Sequence, residues 1–266
     1  MTVEPNEQIR ITRDGAIATI WLNRPEKRNA MNYAMWVMLQ TAAEALGADP
    51  GVRVVVVRGS GSHFCAGADI TELNVERPAG ERTFSQVNLD AERALADLPK
   101  PTVAFIDGDC IGGGCSIAID CDLRIATATA RFGITPAKIG IVYPSASLER
   151  AAHLLGPALT KRLLFTGDLI GVGDALRIGL VDEMVDTAEG DDRLATLTGV
   201  LAARSLLTQA ATKSMVAAIM SHGHVPDDVR RHWSDVAGRA PDGAEGIHAF
   251  VEKRPARFTW SGSDGQ

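Results

Sequence analysis

Apolar and polar positions change their period repeatedly along the chain, and the changes mark the predicted elements. Ile9 to Leu22 reads as two short strands around Asp14-Gly15, because Asp-Gly supplies the positive φ of a tight hairpin turn. Tyr33 to Leu46 carries apolar side chains at helical spacing and should end at Gly47, whereas Val52 to Val57 is a β-branched run suited to a buried strand. The alternation recurs: a helix over Leu89 to Leu98, a strand over Pro101 to Ile106, a helix start at Gly114 to Ile119 and a strand over Leu123 to Ala126. From about Ala146 onward the pattern is mostly helical, interrupted at Gly156-Pro157 and at Gly167 to Gly173, with Ala- and Leu-rich stretches from Arg193 to Met220. The fold class expected is a layered α/β domain with crossovers. A boundary near residue 200 divides a core, 1–200, from a C-terminal helical region, 201–266. No flexible linker marks it, so the two parts should pack together or against a neighbouring subunit.

Composition narrows the partners. With 266 residues, 45% hydrophobic and 23% charged, the chain can bury one α/β core plus an appended helical piece. A net charge of -6 gives no basic field for a phosphate backbone, so nucleic acid is not an expected partner. Met1 to Arg13 is polar and acidic with no apolar signal region, and no segment approaches the roughly 18 uninterrupted apolar residues of a membrane span. A cytoplasmic location without membrane contact is therefore expected. Cys65, Cys110, Cys115 and Cys121 show no C-x-x-C spacing and sit in apolar or Gly-rich contexts. They suit reduced core thiols better than disulfides or a metal site, and no metal is expected.

Candidate chemistry lies in two glycine-containing loops that follow predicted strands, Ser62 to Ile70 and Gly108 to Ser116. Glycine lets a ligand approach the backbone closely, and a helix starting at Gly113 or Gly114 leaves its first N–H groups unpaired at the positive end of its dipole. By itself the Gly112-Gly113-Gly114 run is equally compatible with a plain turn. It is not a phosphate-binding P-loop or a dinucleotide fingerprint, since neither the Gly-Lys-Ser/Thr ending nor the G-x-G-x-x-G spacing is present. Gly114-Cys115-Ser116-Ile117-Ala118 also lacks the second glycine of a nucleophile elbow.

Separated stretches then agree with one another. Ile20-Trp21-Leu22-Asn23-Arg24-Pro25, Asn29-Ala30-Met31-Asn32, Phe64 to Ile70, Gly112 to Cys115, Cys121 to Ala126, Arg131-Phe132-Gly133 and Phe165-Thr166-Gly167 through Gly179-Leu180-Val181 closely resemble, in order, the crotonase or enoyl-CoA hydratase/isomerase superfamily. The resemblance extends to the closing Glu252-Lys253-Arg254-Pro255. It implies a crotonase-like spiral of β-β-α units with a C-terminal helical trimerisation region, and a homotrimer or dimer of trimers. It further implies an acyl-CoA thioester as partner, with coenzyme A as part of the substrate and no separate cofactor. The N–H groups of Ala68 and Gly113 would form an oxyanion hole, and Ala66, Asp69 and Ile70 would line the adenine and pantetheine path. Arg24 and Lys27, with Arg28, could meet the coenzyme phosphates or simply form a solvated charge cluster. Asp69 and Asp122 read as turn or cap residues.

The resemblance also exposes departures. Hydratases of this family use two glutamates; the matching positions here are Ser116 and Pro136, neither of which can act as a carboxylate acid or base. A positioned acid or base is worth roughly 10²- to 10⁴-fold in rate, so hydratase power should fall while thioester polarisation survives. The string Phe132 to Tyr143 is similar to branches without the second glutamate, such as dihydroxynaphthoyl-CoA synthase and methylmalonyl-CoA decarboxylase. The decarboxylase's Thr and Tyr match Thr135 and Tyr143, although it carries a His where this chain has Ala68, and His63 lies too early to replace it. Asp120, one helical turn beyond Ser116 on about the same face, is a further candidate acid, as is Glu149; His153 reads as structural. Three readings stand: an enzyme of non-hydratase enolate chemistry such as decarboxylation or isomerisation, a weak hydratase, or an acyl-CoA binder without turnover.

Overall fold

A computed structural model describes residues 7–262; residues 1–6 of the polar N-terminal stretch lie outside the described residues. Strands β1 (Ile9–Asp14) and β2 (Ile17–Leu22) form the expected hairpin, with Gly15 at φ 55° in the turn, and lead into helix α1 (Tyr33–Ala48). Strand β3 (Val54–Gly59) is followed by α2 (Phe84–Ala96). Strands β4 (Thr102–Ile106) and β5 (Asp109–Ile111) precede α3 (Gly113–Asp120), and β6 (Leu123–Thr127) and β7 (Arg131–Gly133) precede α4 (Ser145–Thr166). Strand β8 (Ile170–Gly171), α5 (Val172–Arg177) and β9 (Glu183–Val185) close the sheets. Helices α6 (Gly190–Ala203), α7 (Leu206–His222), α8 (Asp227–Arg239) and α9 (Asp242–Val251) complete the chain.

The larger sheet has the order β1-β2-β3-β4-β6-β9, parallel from β2 onward; β5, β7 and β8 form a smaller second sheet. This is the spiral of strand–strand–helix units that the resemblance implied. The valine strand explains why the layers hold. Val55 and Val57 face the main core with Trp36 and Leu39, while Val54 and Val56 face Phe105, Ile125 and Leu194 of α6, so both faces are covered.

Several boundaries differ from the sequence expectation, each for a packing or capping reason. Helix α1 runs through Gly47, where a Cβ would stand 3.3 Å from Pro99 Cδ, so that glycine serves close packing rather than termination. Helix α2 starts at Phe84 rather than Leu89, because Thr83 and Gln86 form a reciprocal capping box. Strand β3 starts at Val54 rather than Val52, whose amide instead donates to the Asp49 carbonyl in the preceding turn. The interruption expected at Gly156-Pro157 is present: Gly156 is non-helical at φ 75° and ψ 166°, and α4 is two helical stretches joined across that kink.

The C-terminal helices are tied to the core by hydrogen bonds. Arg53, just before β3, donates from Nε to the Ala202 carbonyl (2.8 Å) and from Nη2 to that of Arg204 (2.7 Å). Lys213 of α7 stands 3.0 Å from Asp122 Oδ2. Among the described residues, no helix is long and apolar enough to cross a membrane.

Candidate active site

Backbone pairing brings the two glycine loops together. The Cys65 amide donates to the Asp109 carbonyl and the Ile111 amide to the Cys65 carbonyl, both at 2.9 Å, so the first loop is stitched along β5. A Cβ on Gly114 would stand 2.4 Å from the Cys65 carbonyl oxygen; only glycine lets α3 begin there. Gly67, at φ 102°, has the Ile111 carbonyl oxygen 2.9 Å from where its Cβ would be.

Met31 then orients Ala68. Its amide donates to the Gly67 carbonyl and its carbonyl accepts from the Asp69 amide, both at 2.8 Å. Successive peptide groups of an extended segment point to opposite sides, so the Ala68 N–H turns away from Met31. It lies 3.4 Å from the position of a Cβ on Gly113, and the Gly113 nitrogen lies 3.5 Å from that of a Cβ on Gly67. Gly113 opens α3, so its N–H has no partner within the helix. Among the described residues neither amide has an acceptor. Two free donors therefore sit side by side at the positive end of a helix.

Beside them is a pair of hydroxyls. Ser116 Oγ and Tyr143 OH are 2.5 Å apart, and the tyrosine oxygen is 3.4 Å from the Gly112 carbonyl oxygen. Burial pushes the Tyr143 phenol well above its usual range. Pro136 opens a short 3-10 turn, Pro136–Lys138, and the Thr135 carbonyl accepts the Lys138 amide there. Among the described residues no hydrogen bond joins the Thr135 hydroxyl to Ser116 or Tyr143.

Behind the hydroxyls lies a buried polar cluster that sequence reasoning located only at Asp120. Glu92 of α2 is 1% exposed and accepts from Ser147 Oγ (2.6 Å) and Asn88 Nδ2 (3.0 Å). Arg150 Nη1 of α4 stands 3.0 Å from Asp120 Oδ1 and 3.6 Å from Glu92 Oε2. Burial raises both carboxyls, with the neighbouring Glu92 charge adding to the effect at Asp120. Asn88 and Glu92 are four residues apart, a polar stripe beside the apolar face of α2, and that spacing was the available signal. Glu149 and His153 are exposed.

The remaining candidates spread along the first loop. Arg24 Nη1 pairs with Asp69 Oδ2 at 2.7 Å and also donates to the Ala30 carbonyl. Asp69 also accepts from the Thr71 amide and hydroxyl, a turn role, and Thr71 and Arg24 hold its carboxyl below the usual range. Asp122 likewise caps the start of β4, accepting from the Thr102 amide at 2.8 Å. Ala66 is half-buried, Lys27 and Ile70 are exposed, and the four cysteines are free and buried. Burial pushes the Cys65 thiol up to about 12, which leaves it unreactive.

With this geometry in place, the family model for enoyl-CoA hydratase/isomerase matches residues 12–261. The chain belongs to that family. A crotonyl-CoA hydratase of Syntrophomonas wolfei is 32% identical over 259 residues, covering 95% of this chain and 98% of that protein. A mitochondrial methylglutaconyl-CoA hydratase of Mus musculus is 30% identical over 268 residues, 96% of this chain and 85% of its own. Among solved structures of the family, an enoyl-CoA hydratase/carnithine racemase from Magnetospirillum magneticum superposes with a TM-score of 0.89 at 32% identity, covering 95% of this chain and 96% of that one. The crotonase superfamily and its fold, expected from the ordered motifs, are thereby established for this chain.

Proposed function

We propose that this family member binds an acyl-CoA thioester and stabilises its enolate, directing it to isomerisation or decarboxylation rather than to water addition. The observation that carries the reading is the pair of free amides at Ala68 and Gly113. When a bond to the α-carbon breaks, its electron pair moves onto the thioester oxygen. Donors already aimed at that oxygen stabilise charge that exists only in the transition state, each typically worth about 10²- to 10³-fold. Ser116 and Tyr143 present hydroxyls where the resemblance places the first hydratase glutamate. Hydroxyls relay protons, but they do not deprotonate water as a carboxylate does. Thr135 assists them in this reading, and Ala66, Asp69 and Ile70 line the coenzyme path. Lys27 is exposed and free to meet a phosphate, while Arg24 braces Asp69.

The exposed Ile247, Phe250 and Val251 of α9 support self-association through the C-terminal helices as a trimer or pair of trimers. A cytoplasmic location goes with the reading. The hydratase names of the relatives favour a second reading, water addition to an enoyl thioester assisted by Asp120.

Calorimetric titration with butyryl-CoA tests recognition, and absence of saturable binding would end the reading. Product analysis with crotonyl-CoA, methylmalonyl-CoA and a β,γ-enoyl-CoA tests the reaction. Double-bond migration or loss of carbon dioxide, with little hydration until Ser116→Glu and Pro136→Glu are combined, is the expected outcome. Robust hydration by the unaltered protein would transfer the assignment to the second reading.

A further inference from the structure

Tyr143 lies two residues before α4, yet its hydroxyl is held 2.5 Å from Ser116 Oγ on α3. Pro144 follows it at φ -55° and ψ 136° and leads directly into Ser145, so the proline ring couples the backbone of Tyr143 to the first turn of α4. No side chain caps that turn. It is seated instead by Ser147 and Arg150, which stand three residues apart and so share one face of the helix. Ser147 Oγ donates to Glu92 Oε2 of α2 at 2.6 Å. Arg150 Nη1 lies 3.0 Å from Asp120 Oδ1 of α3 and 3.6 Å from Glu92 Oε2. Asp120 is one turn beyond Ser116 on the same helix. The junction of α3 with α4 is therefore pinned at two places, Asp120 to Arg150 and Ser116 to Tyr143, while Glu92 braces it from α2.

Stability alone does not account for the charged contact. The Glu92 and Asp120 side chains are each 1% exposed, and neither Asp120 oxygen makes a hydrogen bond among the described residues. Pairing offsets only part of the hydration that such buried charges lose, and apolar side chains of similar volume are often as stable or more so. What a buried ion pair can supply and a greasy contact cannot is one fixed register between the packed elements.

We propose that Ser147 and Arg150, held by Glu92 and Asp120, are positioning residues that set the Tyr143 hydroxyl against Ser116 beside the Ala68 and Gly113 amides. Its consequence for turnover rests on the acyl-CoA reading above; the placement of Tyr143 itself is measured without ligand.

The chain has two tyrosines, Tyr33 and Tyr143, so NMR of the full-length protein carrying ¹³Cζ-labelled tyrosine reads the Tyr143 phenol directly. Tyr33→Phe assigns its signal, and Ser116→Ala gives the signal of the broken pair. The decisive variant combines Glu92→Gln, Asp120→Leu and Arg150→Met, which removes the charges at similar volume. Its thermal midpoint should be kept or raised, while the Tyr143 signal moves toward the Ser116→Ala position. Turnover of a β,γ-enoyl-CoA or methylmalonyl-CoA, whichever the unaltered protein converts, should lose at least about 10-fold in kcat with KM within about twofold. Ser147→Ala should move the Tyr143 signal in the same direction. An unmoved signal in the combined variant overturns the proposal, and so does full turnover despite a moved signal. If the combined variant does not fold, the signal in Ser147→Ala decides. A moved signal in a protein that neither binds nor converts any acyl-CoA leaves the placement standing and removes the acyl-CoA reading.

Discussion

The hydroxyl of Ser116 on α3 lies 2.5 Å from the phenol oxygen of Tyr143, a residue 27 positions later that precedes α4. This contact joins the helix that supplies the Gly113 amide to the segment that leads into α4. Tyr143→Phe deletes the contact and leaves Ser116 without that partner. The expected loss is about 1 kcal/mol in stability and roughly 10²-fold in turnover, with thioester affinity retained. Thermal unfolding and a separation of kcat from KM check the two effects independently.

Gly114 is a second test of the same junction. Any Cβ there meets the Cys65 carbonyl oxygen at 2.4 Å, a backbone atom that cannot swing aside. Gly114→Ala should force the two loops apart, costing about 1–3 kcal/mol and weakening acyl-CoA binding. Urea denaturation and calorimetry measure both; an alanine variant of unchanged stability and affinity would show that the loops do not need this approach.

Lys100 predicts a pH dependence. Its ammonium is buried and donates to the carbonyls of Leu46 (2.7 Å) and Asp49 (2.5 Å), and burial pushes it down to about 8 from 10.5. The unfolded chain therefore holds this proton more tightly than the folded one between those values. The penalty is fully present below pH 8 and is relieved as pH rises toward 10.5. Stability of the unaltered protein relative to Lys100→Met should increase across that window, measured by chemical denaturation at several pH values.

Glu245 behaves in the opposite sense. Arg254 donates to both of its oxygens, at 2.6 and 2.9 Å, and the Arg257 amide to one of them, holding the carboxyl down to about 2 from 4.5. Its contribution is complete above about pH 4.5 and disappears as pH falls through 2. Arg254→Ala should release the segment after α9 to limited proteolysis at neutral pH. The difference from the unaltered protein should shrink in high salt, because the pair is exposed.

Local pattern was enough for much of this molecule. The Asp14-Gly15 turn, the valine run of β3 and the glycines before α3 were legible because each is decided by a few neighbouring residues: positive φ, branched side chains, absent Cβ atoms. The ordered motifs carried the family and pointed to Ala68 and Gly113. What the sequence did not disclose depended on atoms brought together from distant segments. Gly47 reads locally as a helix stop, but Pro99 packs against it within α1, and the pairing of Thr83 with Gln86 in a capping box shifts the start of α2 away from its apolar pattern. Glu92, Ser147 and Arg150 stand on helices separated in sequence by dozens of residues, each ordinary for a solvated helix surface. Only the packing of α2, α3 and α4 withdraws Glu92 and Asp120 from water beside one guanidinium. Desolvation, which pushes an everyday carboxyl above its usual range, belongs to the tertiary arrangement and to no stretch of sequence.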